Sequence, residues 1–116
     1  MLLETEWLHK IGTFSIVARC SRTKMFGVAV SSKFLGVGAL CAHARAGVGA
    51  VATQALINPY LGPQTLDLLA QGLTAEKALR QVLARDEGRE MRQLIVIDQA
   101  GHAAAFTGSE PLMWRG

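Results

Sequence analysis

Two alternating runs on either side of a polar turn constrain the fold of this chain more than any other feature. In residues 13–20, TFSIVARC, Phe14, Ile16 and Ala18 fall on one side of an extended chain and Thr13, Ser15, Val17 and Arg19 on the other. Residues 25–33, MFGVAVSSK, form a second run with GVAV at its centre. A period of two with β-branched and aromatic residues reads as strand. The intervening SRTK at 21–24 reads as the turn of an antiparallel hairpin. A loop of Arg22, Thr23 and Lys24 pairs Ser21 with Met25. On that register Ser15 lies opposite Ser31 and Thr13 opposite Lys33, while Phe14, Ile16 and Ala18 meet Ser32, Val30 and Val28. Opposed Cβ atoms lie about 4.5–5.5 Å apart, so a lysine would stand within reach of Thr13.

The rest of the chain reads as strands, then helices, then a hairpin. Residues 34–43 are a third strand with Gly36 and Gly38 in it, 45–47 a turn, and 47–55 a buried fourth strand. NPYLGP at 58–63 punctuates the pattern, and Pro63 suits the first turn of a helix over 64–71. Thr74 caps a second helix, in which Ala78, Leu79, Val82 and Leu83 recur at helical spacing. Residues 94–98 and 102–107 are strands around the turn at 99–101. Blocks of strands and of helices predict an α+β fold of antiparallel sheets rather than alternating βαβ units. A chain of 116 residues suits one domain. Residues 1–12 read as a leader, 13–108 as the domain and 109–116 as an irregular tail.

Several function classes fit poorly. The net charge is +3 and the basic residues are scattered among few aromatics, so no nucleic-acid partner is expected. No run of about 18 apolar residues spans a membrane and no h-region marks a secretory signal, which makes a cytoplasmic location the expectation. Cys20 and Cys41 lack a C-x-x-C arrangement and read as free thiols, with a single disulfide as the alternative. GVGAVA at 47–52 matches a dinucleotide fingerprint in spelling, but no strand precedes its glycines and no helix follows. His9, His43 and His102 lack ligand-like spacing, and Cys41 beside His43 lacks a third orienting group.

Thr13 stands apart because the chemistry asked of it is minimal. Cleavage after Gly12 would make it an N-terminus. Its own α-amine, with an ordinary pKa of about 7.7–8, could then take the hydroxyl proton while Oγ1 attacks an amide carbonyl. A lysine such as Lys33 would lower the pKa of that amine. Gly47 and Gly49 are candidates for a turn whose N–H groups bind the oxyanion. This scheme requires no metal or cofactor.

Five ordered blocks, TFSIVAR at 13–19, GVAV-x-SKF at 27–34, AGVGAVATQ at 46–54, NP-x-x-GP at 58–63 and AFTG at 105–108, resemble a bacterial and archaeal family of unknown function. That family is placed in the N-terminal-nucleophile (Ntn) hydrolase superfamily. The resemblance covers about residues 13–108. It implies an Ntn-hydrolase-like αββα sandwich with a proteasome-like fold, in which the first hairpin presents the site. Thr13 takes the nucleophile position, Lys33 tunes its amine, and Ser15 and Ser31 hydrogen-bond around them. Residues 1–12 then read as a propeptide ending in Gly12, or as a misplaced start. Cys20 stands where the family carries an acidic residue, and His43 where it carries a tryptophan. Family domains continue past the AFTG block, so one layer is expected to be incomplete and its apolar face to favour a homo-oligomer. The expected function is an amidohydrolase acting on a small-molecule or peptide amide. The alternatives are a non-catalytic assembly domain and a small-molecule-binding domain.

Overall fold

The computed structural model describes residues 13–32 and 35–109. In chain order the elements are β1 (Phe14–Arg19), β2 (Phe26–Ser31), α1 (Val37–Cys41), β3 (Ala42–Arg45), β4 (Gly49–Ala55), α2 (Leu61–Ala70), α3 (Ala75–Ala84), a 3₁₀ turn (Arg89–Met91), β5 (Arg92–Asp98) and β6 (Ala103–Thr107). The fold is α+β. β1 and β2 form a two-stranded sheet, and a second sheet runs β3-β4-β5-β6 with every pair antiparallel.

The four-stranded sheet is the middle layer. One face carries Val51, Leu94 and Val96 against Leu61, Leu66, Leu68 and Leu69 of α2 and Ala78, Leu79, Val82 and Leu83 of α3, all buried in one cluster. The helices approach closely because glycines stand at the contacts. A Cβ on Gly49 would lie 2.5 Å from Ile97 O and 2.7 Å from Leu69 Cδ1. A Cβ on Gly62 would run into the His43 ring. The other face presents Ala52 and Ile95, which are cross-strand partners, to the hairpin.

α3 starts as its sequence predicts, with Thr74 Oγ1 accepting from Lys77 N at 3.4 Å. A second acceptor comes from the sheet. Asp98 Oδ2 takes Ala75 N at 3.0 Å, placing a carboxylate at the helix N-terminus, where the macrodipole favours it. α2 begins at Leu61, earlier than the expected residue 64. The Asn58 carbonyl accepts Leu61 N and its side chain accepts Tyr60 N. Pro63 is then still inside the first turn, where no intrahelical N–H is missed.

Two expectations are corrected. The hairpin loop has four residues: Lys24 N donates to Cys20 O and Cys20 N to Met25 O, with Lys24 in the left-handed region at φ 62°. Cys20 therefore faces Met25, and every pair shifts by one residue. Ser15 lies opposite Val30, Phe14 opposite Ser31 and Ile16 opposite Ala29. Thr13, Ser15, Val17 and Arg19 share the half-buried inner face with Phe26, Val28 and Val30, while Phe14 and Ile16 point outward, 67% and 62% exposed. The second correction concerns residues 34–43, expected as one strand. Gly36 turns left-handed at φ 71°, Ala39 N bonds back to Gly36 O, and a helical turn runs to Cys41 before β3 begins. Gly36 and Gly38 lower the strand propensity of that segment, and only glycine takes the left-handed turn at 36 without cost.

Candidate functional site

The strand pairing separates the two ends of the interface between the sheets. A Cβ on Gly101 would lie 3.5 Å from Arg19 Nη1, so the loop end of the hairpin stands over the β5–β6 turn. Gly49, the first residue of β4, pairs with Asp98 at that same end. Five residues along β4, roughly 16 Å at strand rise, Gln54 pairs with Gln93, and Gln93 pairs with Thr107. The open end of the hairpin, with Thr13, runs toward this second end. Between them, Ser15 and Val17 line a cleft of about 300 Å³ with Ile95, Ala103 and Ala105.

Thr13 precedes β1 and is half-buried on the inner face. Its Oγ1 lies 2.8 Å from Ser32 Oγ, directly across the hairpin. Ser32, rather than Ser31, is thus the serine that the fold brings to Thr13. Ser31 pairs with Phe14 and is exposed on the outer face, whereas Ser15 is half-buried in the cleft wall. The loop length explains both results, since a shift of one residue exchanges the faces. Lys33 lies outside the described residues. Gly47, at φ 72°, and Gly49 lie at the Asp98 end. The structure therefore does not bring them to Thr13.

Polar groups that sequence reasoning overlooked stand at the end of β4 and β5 away from Asp98. Gln54 is 1% exposed, on the face of β4 that alternates with the helix-facing Val51, and among the described residues its Nε2 has no hydrogen-bond partner. Beside it, Gln93 Nε2 donates to Thr107 Oγ1 at 3.2 Å. Ala55 follows in the left-handed region at φ 67°, a conformation that costs a non-glycine residue energy and often accompanies functional sites. The signal available in the sequence was an amide inside an otherwise small and apolar run, GAVATQA at 49–55.

Other candidates fall away. His43 faces α2, with Nε2 3.1 Å from Leu40 O. Cys41 is fully buried, and burial pushes its thiol pKa up, the opposite of an activated nucleophile. Cys20 is an exposed free thiol whose pKa is lowered chiefly by the hydrogen bond from Thr23. Among the described residues, no group of three or more His, Cys, Asp or Glu could hold a metal ion, and no helix is long and apolar enough to cross a membrane. A larger cleft of about 520 Å³ lies on the helix side, between α3 and β6, but Leu79, Leu83 and Phe106 line it beside an Arg80–Glu76 ion pair and no nucleophile. Chemistry rather than volume therefore selects the hairpin end.

A family model described as "Family of unknown function (DUF1028)" matches residues 13–116. Among solved structures, the chain resembles the crystal structure of protein SPO2555 from Silicibacter pomeroyi, also labelled DUF1028, at 36% identity and a TM-score of 0.83. The match covers 87% of this chain and 47% of the other, so the chain spans about half the length of that relative. No curated protein matches it.

Proposed function

We propose that this chain, which belongs to the DUF1028 family of unknown function, carries the nucleophile-bearing part of an Ntn-type amidohydrolase. The observation that carries this reading is Thr13 Oγ1, half-buried at the mouth between two stacked antiparallel sheets and 2.8 Å from a second hydroxyl on Ser32. Removal of residues 1–12 would free the Thr13 amine as the local base. The amine accepts the hydroxyl proton, Oγ1 adds to the amide carbon, and the C–N bond breaks as the leaving amine takes that proton. Water then hydrolyses the resulting Thr13 ester and regenerates the site. Ser32 orients Oγ1, and Ser15 lines the acyl side. Lys33, next in the chain after Ser32, lowers the amine pKa. The substrate is a small-molecule or peptide amide.

The test is intact-mass spectrometry of the purified chain. A mature species beginning at Thr13 supports the reading, and a chain that always retains residues 1–12 ends it. A second reading, a non-catalytic assembly domain, is favoured by one observation: Phe14 and Ile16 are exposed side by side on the outer face of the hairpin.

A further inference from the structure

We infer that the outer edge of β6 is a dimer interface, at which the strand pairs antiparallel with β6 of a second copy of this chain. The inference does not depend on the amidohydrolase reading.

β6 ends the four-stranded sheet, and among the described residues β5 is the one strand paired with it. Asp98 N donates to His102 O at 2.9 Å and Gly108 N donates to Arg92 O at 2.9 Å, so both of these pairs are hydrogen-bonded. Hydrogen-bonded and open pairs alternate along an antiparallel ladder. Ala104 and Phe106 therefore turn their N–H and C=O groups to Val96 and Leu94 of β5, and Ala103 and Ala105 turn theirs away from the sheet. Such a row of donors and acceptors is a template for another strand, and proteins guard it with charge or proline. β3, the opposite edge, carries His43 and Arg45, and Arg45 Nη1 is bound to Asp67 Oδ1 at 3.0 Å. β6 reads AAAFT and has no such guard.

Charge and shape select a second copy as the occupant. Ala105 and Phe106 of β6 line the cleft of about 520 Å³ together with Leu79 and Leu83 of α3, and Glu76 and Arg89 also border it. The two charges stand at opposite ends. α3 starts beside the beginning of β6, because Asp98 Oδ2 accepts Ala75 N, so Glu76 lies at the Ala103 end. Arg89 opens the 3₁₀ turn that leads into Arg92, whose carbonyl accepts Gly108 N just past the end of β6. Arg89 is exposed and forms no ion pair among the described residues. Arg80 Nη2 holds Glu76 Oε1 at 2.6 Å, and the second oxygen of that carboxylate has no partner among the described residues. A two-fold axis normal to the sheet runs the two β6 strands antiparallel and brings the Glu76 end of each copy against the Arg89 end of the other. Parallel strands would set Arg89 against Arg89. The same axis lays the two α3 helices side by side, so that Leu79 and Leu83 of each copy cover the apolar cleft of the other. An isologous contact of this kind closes on itself and leaves neither edge open.

The test measures the mass of the full chain in solution across a concentration series, by light scattering behind size exclusion. The expected species is a dimer. Ala105→Pro removes an outward N–H and spares the β5 ladder, a place where an edge strand tolerates proline. It should keep the wild-type circular dichroism and dimerise at least tenfold more weakly. Glu76→Lys and Arg89→Glu should each weaken the dimer, and the two together should restore it. A full chain that stays monomeric overturns the inference. If the amides of Ala103 and Ala105 resist hydrogen exchange in that monomer, another segment of this chain covers the edge. A dimer that Ala105→Pro leaves intact also overturns it, and points to the hairpin face of Phe14 and Ile16 instead. Where Ala105→Pro fails to fold, the charge exchange decides: a double variant that associates no better than either single one overturns the antiparallel pairing.

Discussion

Thr13 Oγ1 and Ser32 Oγ stand 2.8 Å apart across the open end of the first hairpin, joining residues 19 positions apart in the chain. The two roles differ in kind. Thr13→Ala removes the attacking oxygen and is expected to abolish release of residues 1–12, whereas Thr13→Ser keeps a hydroxyl and retains slower processing. Ser32→Ala removes only an orienting hydrogen bond. A net hydrogen bond of about 0.5–1.5 kcal/mol corresponds to a roughly two- to tenfold slower reaction. A time course of intact mass reads all three variants. Processing by Thr13→Ala at the wild-type rate would move the nucleophile elsewhere.

The corrected register makes its own prediction. Ile16 is 62% exposed on the outer face, and Val17 is half-buried against the four-stranded sheet. Ile16→Lys should change stability by no more than about 0.5 kcal/mol, as surface substitutions do. Val17→Lys places a charge between two sheets and should cost about 2 kcal/mol or more. Urea denaturation compares the two. Equal losses, or the reverse order, would contradict the pairing of Ile16 with Ala29 and Val17 with Val28.

That register marks where sequence reasoning stopped. The alternation of 13–19 placed a strand, and Thr74 with its helical spacing placed a cap and a helix, because each signal is local. The loop closes on Lys24 at φ 62°, a left-handed position usually marked by Gly or Asn. Lysine carries no such mark, so a loop of four residues read as one of three and Ser31 took the place of Ser32. Gly47 and Gly49 were legible as a turn, but the end of the sheet at which it falls depends on how the hairpin lies across β4 and β5, a tertiary relation. Gln54 was hidden for the same reason: a glutamine in a buried run has no visible face until its strand is paired.

Close approach of α2 to the sheet depends on Gly49. A Cβ there would lie 2.5 Å from the Ile97 carbonyl oxygen and 2.7 Å from Leu69 Cδ1. The leucine tip can move aside, but the carbonyl belongs to a paired strand. Gly49→Ala should therefore cost about 1–3 kcal/mol, the usual range for overpacking. Thermal unfolding reads it, and an unchanged melting temperature would mean that the helix yields more easily than the contact implies.

Asp98 closes the β5–β6 turn and caps α3 with one carboxylate. Oδ1 accepts Ala100 N at 3.0 Å and His102 N at 2.9 Å, Oδ2 accepts Ala75 N at 3.0 Å, and the residue is 4% exposed. Burial alone would raise its pKa, but the amides of Ala75, His102 and Ala100 and the nearby His102 ring outweigh burial and hold the pKa below the ordinary value. A carboxylate with a depressed folded pKa binds protons less readily in the native state than in the unfolded one. Its stabilisation is present above the unfolded pKa of about 3.9 and is lost as pH falls through the lower folded value. Asp86, lowered mainly by its hydrogen bond from Arg92, acts in the same window. Asp98→Ala leaves three N–H groups without their acceptor and should cost about 2–4 kcal/mol at pH 7, taking roughly 1 kcal/mol as the net worth of a hydrogen bond to a neutral donor. Asp98→Asn keeps an oxygen for the turn and loses the charge at the helix N-terminus, so it should cost less. Urea unfolding between pH 7 and pH 2 then separates charge from packing: the wild type loses stability more steeply below pH 4 than either variant, and parallel acid slopes in all three proteins would show that Asp98 does not carry the linkage.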